Sequence, residues 1–115
     1  MLEVLFKIVI LSFDYNKGHS GVWLIDKKIP QCYCLPNKME SSVLDFITDK
    51  LGVDGKWIRP RQFTTIFDEN NIYISYVGMC PSDISPKIGE LVFNYENNTL
   101  SKTDQILIEK GIKWI

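Results

Sequence analysis

Arg59 and Arg61 flank Pro60 and stand beside Trp57 and Phe63, so two guanidinium groups and two aromatic rings fall within one short segment. A guanidinium fork offers paired N–H donors to a phosphate, and an aromatic face can stack a base. The set therefore reads as a grip for a phosphate-bearing, nucleotide-type ligand. Its competitor is an edge-strand charge pair beside ordinary core aromatics. A second set is acidic: Glu40, Asp45 and Asp49 lie in one helical segment, with Asp45 and Asp49 four apart on one face. Three such carboxylates could serve a divalent cation, with Glu40 and Asp49 as its ligands, although solvated carboxylates are the ordinary state of a helix face. The lone His19 sits in a run of turn-forming residues, 14–21, without an adjacent group to orient it, and reads as a surface histidine rather than a general base. No Gly-x-Ser-x-Gly elbow supports a serine nucleophile. Cys32, Cys34 and Cys80 lack a second cluster or a histidine at zinc-ligand spacing, and read as reduced strand residues.

The elements that must position these groups follow from periodicity. Leu5 to Phe13 is almost continuously apolar, which predicts a strand covered on both faces near the middle of a sheet. Val22 to Ile25 predicts a second strand, broken at Asp26-Lys27-Lys28 and returning as a hairpin through Gln31 to Leu35. Ser42 and Asp45 form a capping-box pattern for a helix whose Val43, Leu44, Phe46, Ile47 and Leu51 share one face, and Gly52 suits its end. After a turn at Asp54-Gly55, Arg61–Phe67 and Ile72–Met79 predict a hairpin across Asp68-Glu69-Asn70-Asn71. A loop over 81–86, a short strand around Glu90 to Tyr95 and a closing helix from Ser101 complete the chain. In that helix Asp104 completes a second capping box and Ile106, Leu107 and Ile112 turn inward. Trp114 either docks on the domain or meets a partner.

These elements need one core. The 115 residues suit one domain, 1–115, and 45% hydrophobic with 23% charged residues is a globular balance. A net charge of -1, from 13 basic and 14 acidic residues, argues against a duplex-DNA partner, whose binding depends on phosphate neutralisation. The apolar run from Leu2 to Phe13 is broken by Glu3 and Lys7, lacks a cationic start and is too short to span a bilayer. The expectation is a cytoplasmic protein that does not contact membrane.

Several strings, in collinear order, carry a family resemblance. Leu35-Pro36 resembles the entry to the box motif of Nudix hydrolases, and Asp49-Lys50-Leu51-Gly52-Val53 resembles its ending. Arg61 to Asp68 with Ile72 to Met79 looks like the strand pair that follows the box in ADP-ribose-handling members and related transcriptional regulators, and Leu100 to Ile108 like the start of their last helix. The resemblance implies an α+β fold, a mixed sheet sandwiched between helices, with a pocket between sheet and box helix to which Trp23, Tyr33 and Tyr76 would contribute. It also implies magnesium held by clustered glutamates, because a hard cation bridging a diphosphate needs several carboxylate oxygens. Here the sequence departs. Alignment on Gly52 puts Asp49 and Lys50 at the paired glutamates, Phe46 at another and Asp45 at the usual arginine, after a shortened box.

The expectation is therefore a catalytically inactive Nudix-like domain without cofactor, a nucleotide-type ligand sensor or a protein-interaction module, with a homodimer as one form. Its ligand-binding residues would be Arg59, Arg61, Phe63, Trp23 and Tyr76. The alternatives are a divergent magnesium-dependent nucleoside-diphosphate pyrophosphohydrolase using Glu40, Asp45 and Asp49, and a structural subunit of a larger assembly.

Overall fold

A computed structural model describes residues 3–14, 16, 18–33, 36–93 and 99–115. Cys34, Leu35, the strand residues expected at 94–95 and the side chain of His19 lie outside the described residues. The long apolar run forms β1 (Glu3–Asp14). It lies inside the sheet, parallel to β5 (Asn71–Met79) on one side and antiparallel to β2 (His19–Leu24) on the other. With β4 (Arg61–Asp68) and β6 (Glu90–Val92), the order is β4-β5-β1-β2-β6. Both faces of β1 are covered, which is why its sequence is nearly all apolar rather than alternating. Phe6, Ile8 and Ile10 pack on one face with Trp23 and Tyr76, while Val9 and Leu11 pack on the other with Val22 and Val77.

The first face is covered by a 3-10 turn at Pro36–Lys38 leading into α1 (Met39–Phe46), which runs on as a π-helical turn, Ile47–Leu51. Val43, Ile47 and Leu51, spaced by four, are its fully buried residues. The other face is covered by α3 (Lys102–Trp114), which buries Asp104, Leu107, Ile108 and Gly111. The α+β sandwich read from the sequence is present, with one sheet between helices.

Four local expectations change. The helix starts at Met39, so Ser42 lies inside it, and Lys38 occupies the cap position without a side-chain bond. Ile106 is 41% exposed, because the buried stripe of α3 runs 104, 107, 108, 111 and Ile106 falls off it, while Ile112 is half-buried. Asp54-Gly55 is more than a turn: Asp54 accepts a hydrogen bond from Lys56 N–H (2.9 Å) and caps a one-turn helix, α2 (Gly55–Ile58). A Cβ on Gly55 would lie 2.7 Å from the Leu44 carbonyl oxygen, so a glycine is what lets α2 close against α1. Lastly, β3 (Gln31–Cys32) pairs with β1, not β2. Val22 opposes Leu11 and Cys32 opposes Phe6, so ten residues advance along β1 by five. The Asp26-Lys27 turn, both residues at positive φ, is an excursion after which the chain resumes along the same edge.

Candidate functional site

Gly52 closes the α1 segment at φ 77, where its N–H reaches the Ile47 carbonyl. Three residues on, α2 begins, and it ends at Arg59, whose φ of 54 and ψ of 58 are unfavourable for any residue with a Cβ. Pro60 then leads into β4. This tight path puts the end of α2 beside the first turns of α1 and the middle of β5. Between them is a cavity of about 250 Å³ lined by Glu40, Val43, Leu44, Lys56, Arg59, Pro60 and Tyr76. Its mouth carries two cations and one carboxylate, all exposed, and Tyr76, 2% exposed, forms its aromatic floor. A hollow of about 300 Å³ on the other side of Arg59 is lined by Trp57, Arg61, Gly78, Met79 and Trp114 among others. Arg59 is the corner that both share.

Of the residues expected to bind ligand, Arg59 and Tyr76 line the first cavity and Arg59 and Arg61 the second. Phe63 is elsewhere. The β4–β5 register slips around it, with Gln62 opposite Tyr76 and Thr64 opposite Ser75. The ring packs on the α3 side of the sheet, 6.5 Å from the Trp114 ring. Trp23 requires correction: it is fully enclosed in the core, its indole N–H donates to the Ile88 carbonyl at 3.0 Å, and it lines none of these cavities. Tyr33 is 76% exposed and lines none of them either.

The acidic set is not brought together. Glu40 lines the 250 Å³ cavity, whereas Asp45 lines a separate hollow of about 590 Å³ with Ser41, Thr48, Asp54 and Lys56, and Asp49 lines neither. Glu40 lies in the first turn of α1 and Asp49 in the π-helical turn that follows it, and the two line no common hollow. Among the described residues no three of His, Cys, Asp and Glu stand close enough to hold a metal ion. At the aligned positions Phe46 is half-buried against the core and Lys50 brings a cation. This donor set does not fit magnesium bridging a diphosphate.

Lys56 is a site residue the sequence reading missed, because the helix that aims it had not been recognised. Cys32 and Cys80 carry no disulfide. Burial pushes the Cys80 thiol up to about 11, partly opposed by the Ser12 hydroxyl. A raised native value means that the neutral thiol stabilises the fold fully below pH 9 and that this contribution is lost as pH rises toward 11. Cys80→Ala should flatten the decline in melting temperature over that window; an unchanged decline would assign it to other groups.

No family model matches the chain, and no curated protein matches it either. Solved structures do. A MutT/nudix family protein from Enterococcus faecalis superimposes over 99% of the chain with a TM-score of 0.73 at 15% identity. The NUDIX domain of Shewanella oneidensis NrtR, in a cocrystal structure with ADP ribose, does so over 99% with a TM-score of 0.73 at 14% identity. The chain spans 62% of the length of the first and 88% of the second. At such identities the likeness is one of backbone, and it agrees with the sheet, the α1 segment and the resemblance carried by the sequence: the chain has a Nudix-like fold.

Proposed function

We propose that residues 1–115 act as one Nudix-like domain that binds a nucleotide-type ligand carrying a diphosphate, such as ADP-ribose, without hydrolysing it. The observation that carries this reading is the convergence of Lys56 and Arg59 over Tyr76 in the cavity between α1, α2 and β5. The two cations outnumber the one carboxylate, Glu40, and attract a diphosphate, which Arg can hold through paired donors. The cavity is smaller than most ligand sites, so the remainder of such a ligand would lie along the rim toward Arg61. The fold shared with a domain complexed with ADP ribose supports the ligand class, and the scattered acids support binding without turnover. The reading requires neither cofactor nor metal.

The purified protein should gain about 2.7 kcal/mol of stability in ADP-ribose at a hundred times its dissociation constant, seen as a rise in melting temperature with or without magnesium. The compound should be recovered intact. Turnover with magnesium that Asp49→Ala abolishes would instead establish a pyrophosphohydrolase, and no shift with any nucleoside diphosphate compound would leave a protein-interaction module.

A further inference from the structure

We infer that the surface running from Arg59 past β4 and β5, on the α3 side of the sheet, to the end of α3 is a docking strip for single-stranded nucleic acid. Two adjoining hollows form it and Trp114 lines both: one includes Trp57, Arg59, Arg61 and Ile115, and the other, of about 330 Å³, includes Phe63, Thr64, Lys110 and Lys113. Trp57 and Trp114 are 58% and 57% exposed. The strip thus carries four cationic side chains and two half-exposed indoles, and no Asp or Glu side chain lines either hollow, in a chain whose acids outnumber its bases.

The charge is complementary to a polyanion, and the aromatics decide which kind. A flexible strand with unstacked bases can lay them on Trp57 and Trp114 while its phosphates meet Arg59, Arg61, Lys110 and Lys113, and each such stack is sequence-tolerant because every base has a π-face. A duplex hides its bases and would use only the cations. The site extends beyond the proposed diphosphate cavity: Arg59 and Arg61 also serve the nucleotide-type ligand proposed above, whereas Lys110, Lys113 and Trp114 line only the strip.

Fluorescence anisotropy with labelled twelve-nucleotide oligo(dT) and oligo(U) tests this on the full chain. Binding is expected to weaken with salt, with a log–log slope near -3 for about four phosphate contacts. The Lys110→Glu/Lys113→Glu protein should bind at least tenfold more weakly with a shallower slope, and Trp114→Ala at least fivefold more weakly at nearly unchanged slope. The melting-temperature shift with ADP-ribose should persist in the double variant, which separates failure of the strip from failure of the diphosphate site. Absence of oligonucleotide binding at low salt, affinity indifferent to these substitutions, or equal affinity for a duplex or an acidic peptide would each overturn the inference.

Discussion

Replacing Lys7 by methionine should lower the stability of the fold by about 3–5 kcal/mol in a urea melt. Lys7 is a buried cation in the centre of the sheet, 5% exposed, and its ammonium donates to Asp104 Oδ1, whose residue is 1% exposed on α3. The second carboxylate oxygen accepts the Ile29 N–H at 3.2 Å, and the ammonium also lies 4.8 Å from the centre of the Tyr73 ring. The pair joins β1, α3 and the Asp26-Lys27 excursion at one point. Deleting the cation leaves a carboxylate buried without its counter-charge, which is why the cost exceeds what the bond itself contributes. A Lys7→Met/Asp104→Leu protein removes both charges and should recover most of the loss. It keeps a deficit of about 1–3 kcal/mol, because the Ile29 N–H then lacks its acceptor. A loss below about 1 kcal/mol for the single variant would show that the pair is open to water.

Arg59→Gly should weaken binding of ADP-ribose about 10- to 100-fold while leaving the melting temperature of the ligand-free protein unchanged or raised. The two effects have different origins. The φ of 54 at Arg59 costs little for glycine and on the order of 1–2 kcal/mol for a residue with a Cβ, so the backbone gains from the substitution. A charge-assisted bond to a phosphate is worth about 1.5–3 kcal/mol, which sets the loss of affinity. Isothermal calorimetry paired with thermal melts separates the two. Unchanged affinity would remove Arg59 from the site, and a large drop in the melting temperature would show that the guanidinium is held for stability. Arg61→Ala, at the rim, should weaken binding less.

Elements whose cause is local were legible in the sequence. The double-sided burial of β1 was written in its unbroken apolar run, the β4–β5 hairpin in its turn residues, and the end of the α1 segment in Gly52. At Ser101 the cap was read correctly, with its hydroxyl accepting from Asp104 N–H at 3.1 Å. The reciprocal half was not, because the Asp104 carboxylate turns to Lys7, 97 positions away, which no local pattern encodes. Lys7 was nevertheless visible as the charge interrupting an apolar run, and a central strand can bury such a charge only with a partner. Which strand β3 pairs with and the parallel placement of β1 against β5 depend on contacts distant in sequence, so hairpin logic misassigned the first and was silent on the second.

The candidate site was half legible. The cluster around Pro60 pointed to Arg59 and Arg61, while Phe63 packs against Trp114 in a neighbouring hollow and does not reach the cavity over Tyr76. Trp23 was drawn in by residue type, since an indole suits a ligand and a core equally, and here every part of it is covered. The metal alternative joined Glu40, the nearest candidate for an upstream glutamate, to Asp49 at the end of the box, and the structure gives the two no common hollow.

A crystal of the protein soaked with ADP-ribose and magnesium tests the proposed function most directly. Intact ligand is predicted, its diphosphate against Lys56 and Arg59 above Tyr76, with no magnesium bridging Glu40, Asp45 or Asp49. Cleaved ligand with magnesium held by those acids, or ligand bound away from Arg59, would contradict it.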